Sequence, residues 1–423
     1  MRTGITPAEA LETILQRAEP LTPETVSLPE AQGRILAESV TSERVIPPAD
    51  NSAMDGYAVR AADCAQASAD APVALPVSFE VPAGAAAPPT LEVGQAARIL
   101  TGAPLPPGAD SVVRQEDTER SGDRVAVRVV PKLGEHVRRA GEDVDAGDAV
   151  LTAGDRVGAA QIGMLASLGR SFVAVHRAPR VAILSGGDEL VEPDGDISGG
   201  RIVSSNSYSI AAQCRELGAI PSYLGIARDT PEDLERCFRG GLRADLLVSS
   251  AGVSVGDRDF VRDVLEKLGC TLAFWGVQMK PGYPLAFGEI GAERGAGAGG
   301  PLVFGLPGNP VSAMMTFEQF VRPAILQMRG ERALFRPLLE VRLGERLRKK
   351  PGRLHFVRVT LEKEGDDWVA RSAGNQSSGA LRSMLRARAI LIFDAELERL
   401  DVGDRARVQV VDPTVLAGAD GGF

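Results

Sequence analysis

Ser250-Ala251-Gly252-Val253-Ser254-Val255-Gly256-Asp257-Arg258-Asp259 has the residue types needed to hold a charged phosphate ester beside a divalent cation. Small residues at Ser250, Gly252, Ser254 and Gly256 let the backbone come close to a ligand, and the free N–H groups of a following helix attract anions. Asp257 and Asp259 add oxygen ligands for a hard cation. Three more loops share this character: Ser185-Gly186-Gly187-Asp188-Glu189-Leu190, Gly305-Leu306-Pro307-Gly308-Asn309-Pro310 and Lys280-Pro281-Gly282-Tyr283-Pro284. Taken singly, each reads equally well as an ordinary turn, with a capping aspartate or a solvated lysine. Their recurrence in one region favours a shared crevice of carboxylates, helix N-termini and one lysine, a mixture suited to a dianion with magnesium.

The elements that must position these loops alternate in the βα manner from Arg180 onward. Val181-Ala182-Ile183-Leu184 reads as a buried strand, Asn206 to Leu217 as a helix and Ala219 to Ile226 as a second strand. A helix over Pro231 to Phe238, a strand over Leu246 to Ser249 and a helix over Val261 to Leu268 follow. Leu285 to Gly288 and Pro301 to Phe304 read as strands, and Pro310 to Met328 as a long helix with Asn309 able to cap it. The pattern predicts a doubly wound parallel sheet whose ligands sit outside the carboxyl ends of its strands.

Upstream, helical spacing covers residues 7–19 and 29–39, and Ala159 to Leu168 reads as a short helix. Short β-prone pieces between Val45 and Asp143 predict a separate β-rich domain. Asp50-Asn51-Ser52-Ala53-Met54-Asp55-Gly56-Tyr57-Ala58-Val59 is a turn-rich stretch with two carboxylates; it reads as a hinge or as part of a site. Thr101-Gly102-Ala103-Pro104 and Arg138-Arg139-Ala140-Gly141-Glu142-Asp143 are further polar turns. Beyond Gly330 the chain predicts a compact all-β domain ending near Asp412, with a loose tail over 416–423. Gly291 to Gly300 reads as a flexible surface loop.

A chain of 423 residues with net charge −9 divides into several domains and is a poor general nucleic-acid binder. One stretch opposes the trend: residues 331–360 hold nine Lys/Arg against three Glu, either a solvated strand-and-turn face or an anion-binding surface. The cysteines (64, 214, 237, 270) and histidines (136, 176, 355) are scattered, which argues against structural zinc and disulfides. No apolar run is long enough to span a bilayer, and the start carries no signal core, so a cytoplasmic protein is expected.

Together these motifs resemble the MoeA family, the molybdopterin molybdenumtransferases whose eukaryotic relatives include the E domain of gephyrin. The resemblance runs from about Thr6 to Asp412, and its most specific segments are residues 50–58 and 305–313. It implies an α/β multidomain chain. Residues 1–45 and 144–179 would form an elongated linker, and 46–143 a β-rich insertion. Residues 180–329 would form a molybdopterin-binding α/β domain, 330–412 a C-terminal β-barrel-like domain and 413–423 the tail. The implied reaction takes adenylylated molybdopterin and molybdate, inserts molybdenum at the dithiolene sulfurs and releases AMP, with Mg²⁺ required.

By motif match, the resemblance makes Asp55, Thr101, Asp143, Glu189 and Lys280 catalytic, with Glu189 and Asp259 as metal ligands. Substrate binding falls to Asp245, Ser250, Gly252, Ser254, Gly256, Asp259, Pro307, Gly308, Asn309, Pro310, Arg353 and Ser378. A homodimer is implied, in which Asp55, Thr101 and Asp143 face Glu189 and Lys280 of the partner subunit. A separate molybdopterin adenylyltransferase and recipient molybdoenzymes or their chaperones are the implied partners; nucleic acid and membrane are not. The chain departs from the family at Tyr283, where many members carry a second lysine, and at Gly186, Ala251 and Ser377. A rival reading is a non-catalytic, molybdopterin-binding or scaffold paralogue, which Tyr283 favours and the retained carboxylates and Lys280 oppose.

Overall fold

Strand and helix alternate from Arg180 much as the sequence predicts, in a computed structural model that describes residues 1–250, 260–291 and 300–417. The chain divides into two units. One comprises Met1–Ala37, Gly154–Ile162 and Phe172–Phe423; the other comprises Glu38–Ala153 and Gly163–Ser171.

The larger unit is built on a seven-stranded sheet. Its order is Arg2–Ile5, Cys270–Val277, Ala286–Ile290, Leu302–Leu306, Leu246–Ser250, Arg180–Gly186 and Ile220–Ala227. The last four strands named run parallel, and the three inner ones, Leu302–Leu306, Leu246–Ser250 and Arg180–Gly186, are near-continuous apolar runs, as strands covered on both faces require. The sheet is nevertheless mixed, because Ala286–Ile290 runs antiparallel to both its neighbours. The reason is local: the short turn at 281–284 returns the chain directly and leaves no room for a crossover helix. Arg2–Ile5 adds an edge strand parallel to Cys270–Val277, which no sequence pattern announced.

Helix Ser205–Glu216 follows the strand Arg180–Gly186, helix Pro231–Gly241 follows Ile220–Ala227, and Phe260–Lys267 buries Val261, Val264 and Leu265. The long helix predicted over Pro310 to Met328 is continuous but carries a π segment at Phe317–Val321. The helix expected over residues 29–39 is instead a single turn, Leu28–Ala31. Gly33 takes φ +74° and ends it, after which Ile35 and Leu36 form β-bridges.

The same unit ends in a closed five-stranded barrel. Its strands are Leu354–Glu364, Asp367–Ser372, Leu338–Leu343, Arg405–Val410 and Ala389–Phe393, and the last pairs back onto the first. Val341, Val359, Ala370, Leu391 and Val408 fill its interior. The pair Met279–Lys280 attaches to the barrel, parallel to Leu354 and His355.

The smaller unit carries a six-stranded sheet in the order Ser111–Arg114, Gly56–Val59, Ala96–Ile99, Val73–Val81, Arg124–Val127 and Thr118–Ser121. Tyr57, Val59, Leu75, Val113 and Val125 are buried on it. Gly56 is required here: a Cβ at that position would lie 2.0 Å from the Val113 carbonyl oxygen.

Candidate functional site

In the larger unit, loops at the carboxyl ends of parallel strands line a cleft of about 440 Å³. Glu189, Ser250, Pro307, Gly308, Asn309 and Pro310 are among its walls, so six of the expected site residues converge there. Pairing of Arg180–Gly186 with Leu246–Ser250, and of the latter with Leu302–Leu306, brings the three loops side by side.

The floor of the cleft is a buried hydroxyl network. Ser185 Oγ lies 3.2 Å from Ser250 Oγ, accepts from Ser204 Oγ at 2.9 Å and is bonded to Ser207. Ser250, 2% exposed, is thus held at the base. Glu189 folds back over Gly187: a Cβ on that glycine would meet the glutamate carboxyl oxygen at 2.6 Å. Asn309 occupies the N-cap position but its side chain makes no capping bond; Pro310 begins the helix, and Ala313 donates to the Asn309 carbonyl at 2.9 Å. Asn206 donates to the Gly308 carbonyl at 2.7 Å, while its buried Oδ1 has no partner among the described residues.

Beside this cleft, Lys280, Tyr283, Ser312, Arg353 and Ser378 line a second cavity of about 550 Å³. The two flank one helix start: Pro310 lines the first and Ser312 the second, and Val311 N–H donates to the Ser378 carbonyl at 3.0 Å. The Arg353 guanidinium carbon stands 4.6 Å from the centre of the Tyr283 ring. That contact orders the arginine and leaves its N–H groups available to an anion. The Tyr283 ring is seated against Gly276, where a Cβ would approach to 3.2 Å.

In the smaller unit, Asp55 and Thr101 meet. Thr101 donates to Asp55 Oδ1 through its backbone N–H at 2.7 Å and its hydroxyl at 2.8 Å. Antiparallel pairing of Gly56 with Ile99 brings the two to the same end of the sheet. These bonds, the backbone one first, hold the Asp55 carboxyl below its usual range. Asp143 is exposed, and its N–H donates to the Ile46 carbonyl at 3.1 Å. The turn before it is fixed by Asp50, which accepts from Arg139 at 2.5 Å and from Ala140 N–H at 2.9 Å. Gly252, Ser254, Gly256, Asp257 and Asp259 lie outside the described residues.

Asp245 is not brought to the cleft. It lies at the amino end of the strand that Ser250 ends, and accepts from Arg177 at 2.5 and 2.6 Å and from Arg180 N–H at 2.8 Å. Its carboxylate fastens the segment entering the sheet. Asp245→Ala is therefore expected to cost about 1–3 kcal/mol by leaving Arg177 part-buried and unpaired. Its KM values should stay unchanged; denaturant unfolding and steady-state kinetics together check this.

Sequence reading missed Asp229. It follows the strand Ile220–Ala227 and faces Asp188: each carboxylate accepts the other's backbone N–H, at 3.3 and 3.4 Å. A polar residue just past the carboxyl end of a parallel strand was the available signal. Ser312, buried within one turn of the helix start, lies inside the specific segment 305–313 but was not singled out there as a site residue.

A mixed α/β sheet with a strand-end ligand cleft, a basic cavity beside it and a closed C-terminal barrel defines the class of protein. Family models agree along the chain. The MoeA N-terminal region (domain I and II) matches residues 5–169, a probable molybdopterin binding domain 182–327, and the MoeA C-terminal region (domain IV) 340–411. A molybdopterin molybdenumtransferase of Nostoc sp. is 40% identical over 373 residues, 88% of this chain and 84% of that protein. One from Haemophilus influenzae is 34% identical over 395 residues, 92% and 94% of the two chains. The crystal structure of a molybdopterin biosynthesis MoeA protein from Pyrococcus horikosii superposes with TM-score 0.81 at 32% identity, covering 96% of this chain and 99% of that one. The chain belongs to the MoeA family.

Proposed function

We propose that the strand-end cleft takes the pterin and phosphates of adenylylated molybdopterin, and that the cavity around Lys280 takes molybdate. The chain acts as a molybdopterin molybdenumtransferase in molybdenum cofactor biosynthesis. The observation that carries the division of labour is the convergence of Lys280, Arg353, Ser312 and Ser378 beside the helix start that also walls the cleft. Molybdate is a dianion that must approach an already anionic pterin phosphate, and the cations Lys280 and Arg353 offset that repulsion. Ser378 and Ser312 supply hydroxyl donors, and Pro307 to Pro310 shape a rigid wall for the pterin.

Mg²⁺ suits the donor set. The cleft offers carboxylate oxygen from Glu189, with Asp188 and Asp229 at the ends of neighbouring strands and no thiol or imidazole in the lining. Among the described residues no three such ligands are gathered. The pair that the family resemblance gives for the ion is Glu189 with Asp259. When bound, the ion neutralises charge on the phosphoanhydride whose cleavage releases AMP. Asp55, Thr101 and Asp143 complete the site across a homodimer, in the domain division set out above. A separate adenylyltransferase supplies the substrate, recipient molybdoenzymes or their chaperones take the product, and the protein works in the cytoplasm. Among the described residues no helix is long and apolar enough to cross a membrane.

Purified protein given adenylylated molybdopterin, Mg²⁺ and molybdate should release AMP, with release lost when molybdate is omitted or EDTA added. Tight pterin binding with no AMP release would replace this reading with the scaffold paralogue.

A further inference from the structure

Helix Ser205–Glu216 starts at the strand-end cleft and is anchored below it. Its Ile210, Ala211 and Cys214 are buried in the same core as Ala313 and Met315 of the helix that begins at Pro310. The second residue of the first helix, Asn206, is 8% exposed and lines the cleft together with Pro307, Gly308, Asn309 and Pro310. Across 102 residues of sequence its Nδ2 donates to the Gly308 carbonyl at 2.7 Å. Rotating the amide by half a turn would set Oδ1 against that carbonyl, acceptor against acceptor, so the orientation is decided.

Two features separate this bond from ordinary polar satisfaction. Gly308 is exposed, so water can reach the segment and serve its carbonyl if the amide is removed. The Asn206 Oδ1 is buried without a partner among the described residues, a cost that an apolar side chain of the same size would not bear. The side chain is therefore a poor choice for stability. Its effect is geometric. A Cβ on Gly308 would meet nothing within 4 Å, so its neighbours leave this glycine free, and glycine has the most backbone freedom to lose. Asn309 makes no capping bond with its side chain. Among the described residues the Asn206 amide is thus the side-chain tether of the segment from Pro307 to Pro310. The other face of the same helix start has its own anchor, the bond from Val311 N–H to the Ser378 carbonyl at 3.0 Å.

We propose that Asn206 is a positioning residue for substrate recognition: its amide sets the wall from Pro307 to Pro310 where the pterin meets it, and leaves the molybdate side to the Val311–Ser378 bond. The pterin's place in this cleft rests on the proposed function; the tether does not.

The test uses the full chain and Asn206→Leu, which has nearly the same volume and removes the donor and the orphaned acceptor together. Its unfolding midpoint should equal or exceed that of wild type. Amide exchange at Ala313, whose N–H donates to the Asn309 carbonyl at 2.9 Å, should quicken as the segment loosens. The KM for adenylylated molybdopterin should rise roughly three- to tenfold, the worth of one neutral hydrogen bond, with the molybdate KM unchanged. Asn206→Asp keeps the shape and turns an acceptor toward the Gly308 carbonyl, so its pterin KM should rise at least as far. A wild-type pterin KM and wild-type Ala313 exchange in Asn206→Leu, whatever its stability, would overturn the proposal. Equal rises in both KM values would mean that the whole helix start moves, and would overturn the assignment to the pterin wall. Failure of the proposed function would show instead as absent AMP release by the wild type, while Ala313 exchange still tests the tether.

Discussion

Lys280→Ala is expected to lower molybdate-dependent AMP release by about 10²–10³-fold, the usual consequence of removing one preorganised charge from a developing anion. The ammonium has no carboxylate partner among the described residues, so nothing in the resting protein competes for it. Its backbone is pinned: Met279–Lys280 runs parallel to Leu354 and His355, which sets the lysine beside Arg353 at the cavity mouth. Lys280→Arg should recover part of the rate, because a planar fork retains charge but not the point-charge geometry. Unfolding midpoints should match wild type, since the side chain is exposed and holds no part of the core. Wild-type turnover in Lys280→Ala would sink its placement in the oxyanion site.

Tyr283 bears on the same result. As a departure from the family's common lysine, it counted against anion binding when only the sequence was read. In the fold its ring lies against the Arg353 guanidinium, so a lost cation is exchanged for a better-ordered one. Stacking across residues 283 and 353 depends on the attachment of one strand pair to a barrel, and no spacing in the sequence encodes that.

What sequence could read was local. Apolar runs bounded by Gly and Pro located the parallel strands to within about two residues, and the strand-end rule placed Glu189, Ser250 and Pro307 to Pro310 in one cleft. Asp245 entered through the family resemblance and not through the strand-end rule; it stands at the amino end of its strand, where it pairs with Arg177. Asp229, at the correct edge, was passed over because no glycine-rich loop surrounds it. The antiparallel strand Ala286–Ile290 and the edge strand Arg2–Ile5 escaped because strand direction and partner choice are tertiary properties, which composition does not carry. The basic face of the barrel was visible as charge but not as a concavity, since its members come together only when the barrel closes.

Arg358 carries the other large expectation. Its Nε donates to Ser383 Oγ at 2.8 Å and its Nη2 to the carbonyls of Asn375 and Ser377 at 3.1 and 3.3 Å. Gln376 adds a two-point pairing with the Arg358 backbone, at 2.9 and 3.1 Å. The loop that presents Ser378 is therefore fastened to the centre of a barrel strand, and burial of the guanidinium pushes its pKa down to about 10, so it stays charged at neutral pH. Two effects oppose each other in Arg358→Met. Leaving buried carbonyls unpaired costs about 1–3 kcal/mol each, while removing an uncompensated buried charge returns several kcal/mol of desolvation. The net change in stability should be small, within about 2 kcal/mol, because these terms are similar in size. Function should not be spared. With the loop released and the cation gone, the molybdate KM should rise about ten- to a hundredfold, a loss on the scale of charge-assisted hydrogen bonds. Arg358→Lys separates the causes: it keeps the charge but cannot bridge Ser383 and two carbonyls at once. If it restores less than half of the lost affinity on a logarithmic scale, loop geometry dominates, which is the outcome the three bonds favour. Denaturant unfolding of both variants beside their molybdate KM and kcat decides it, and an unchanged KM in Arg358→Met would remove Arg358 from any part in positioning the site.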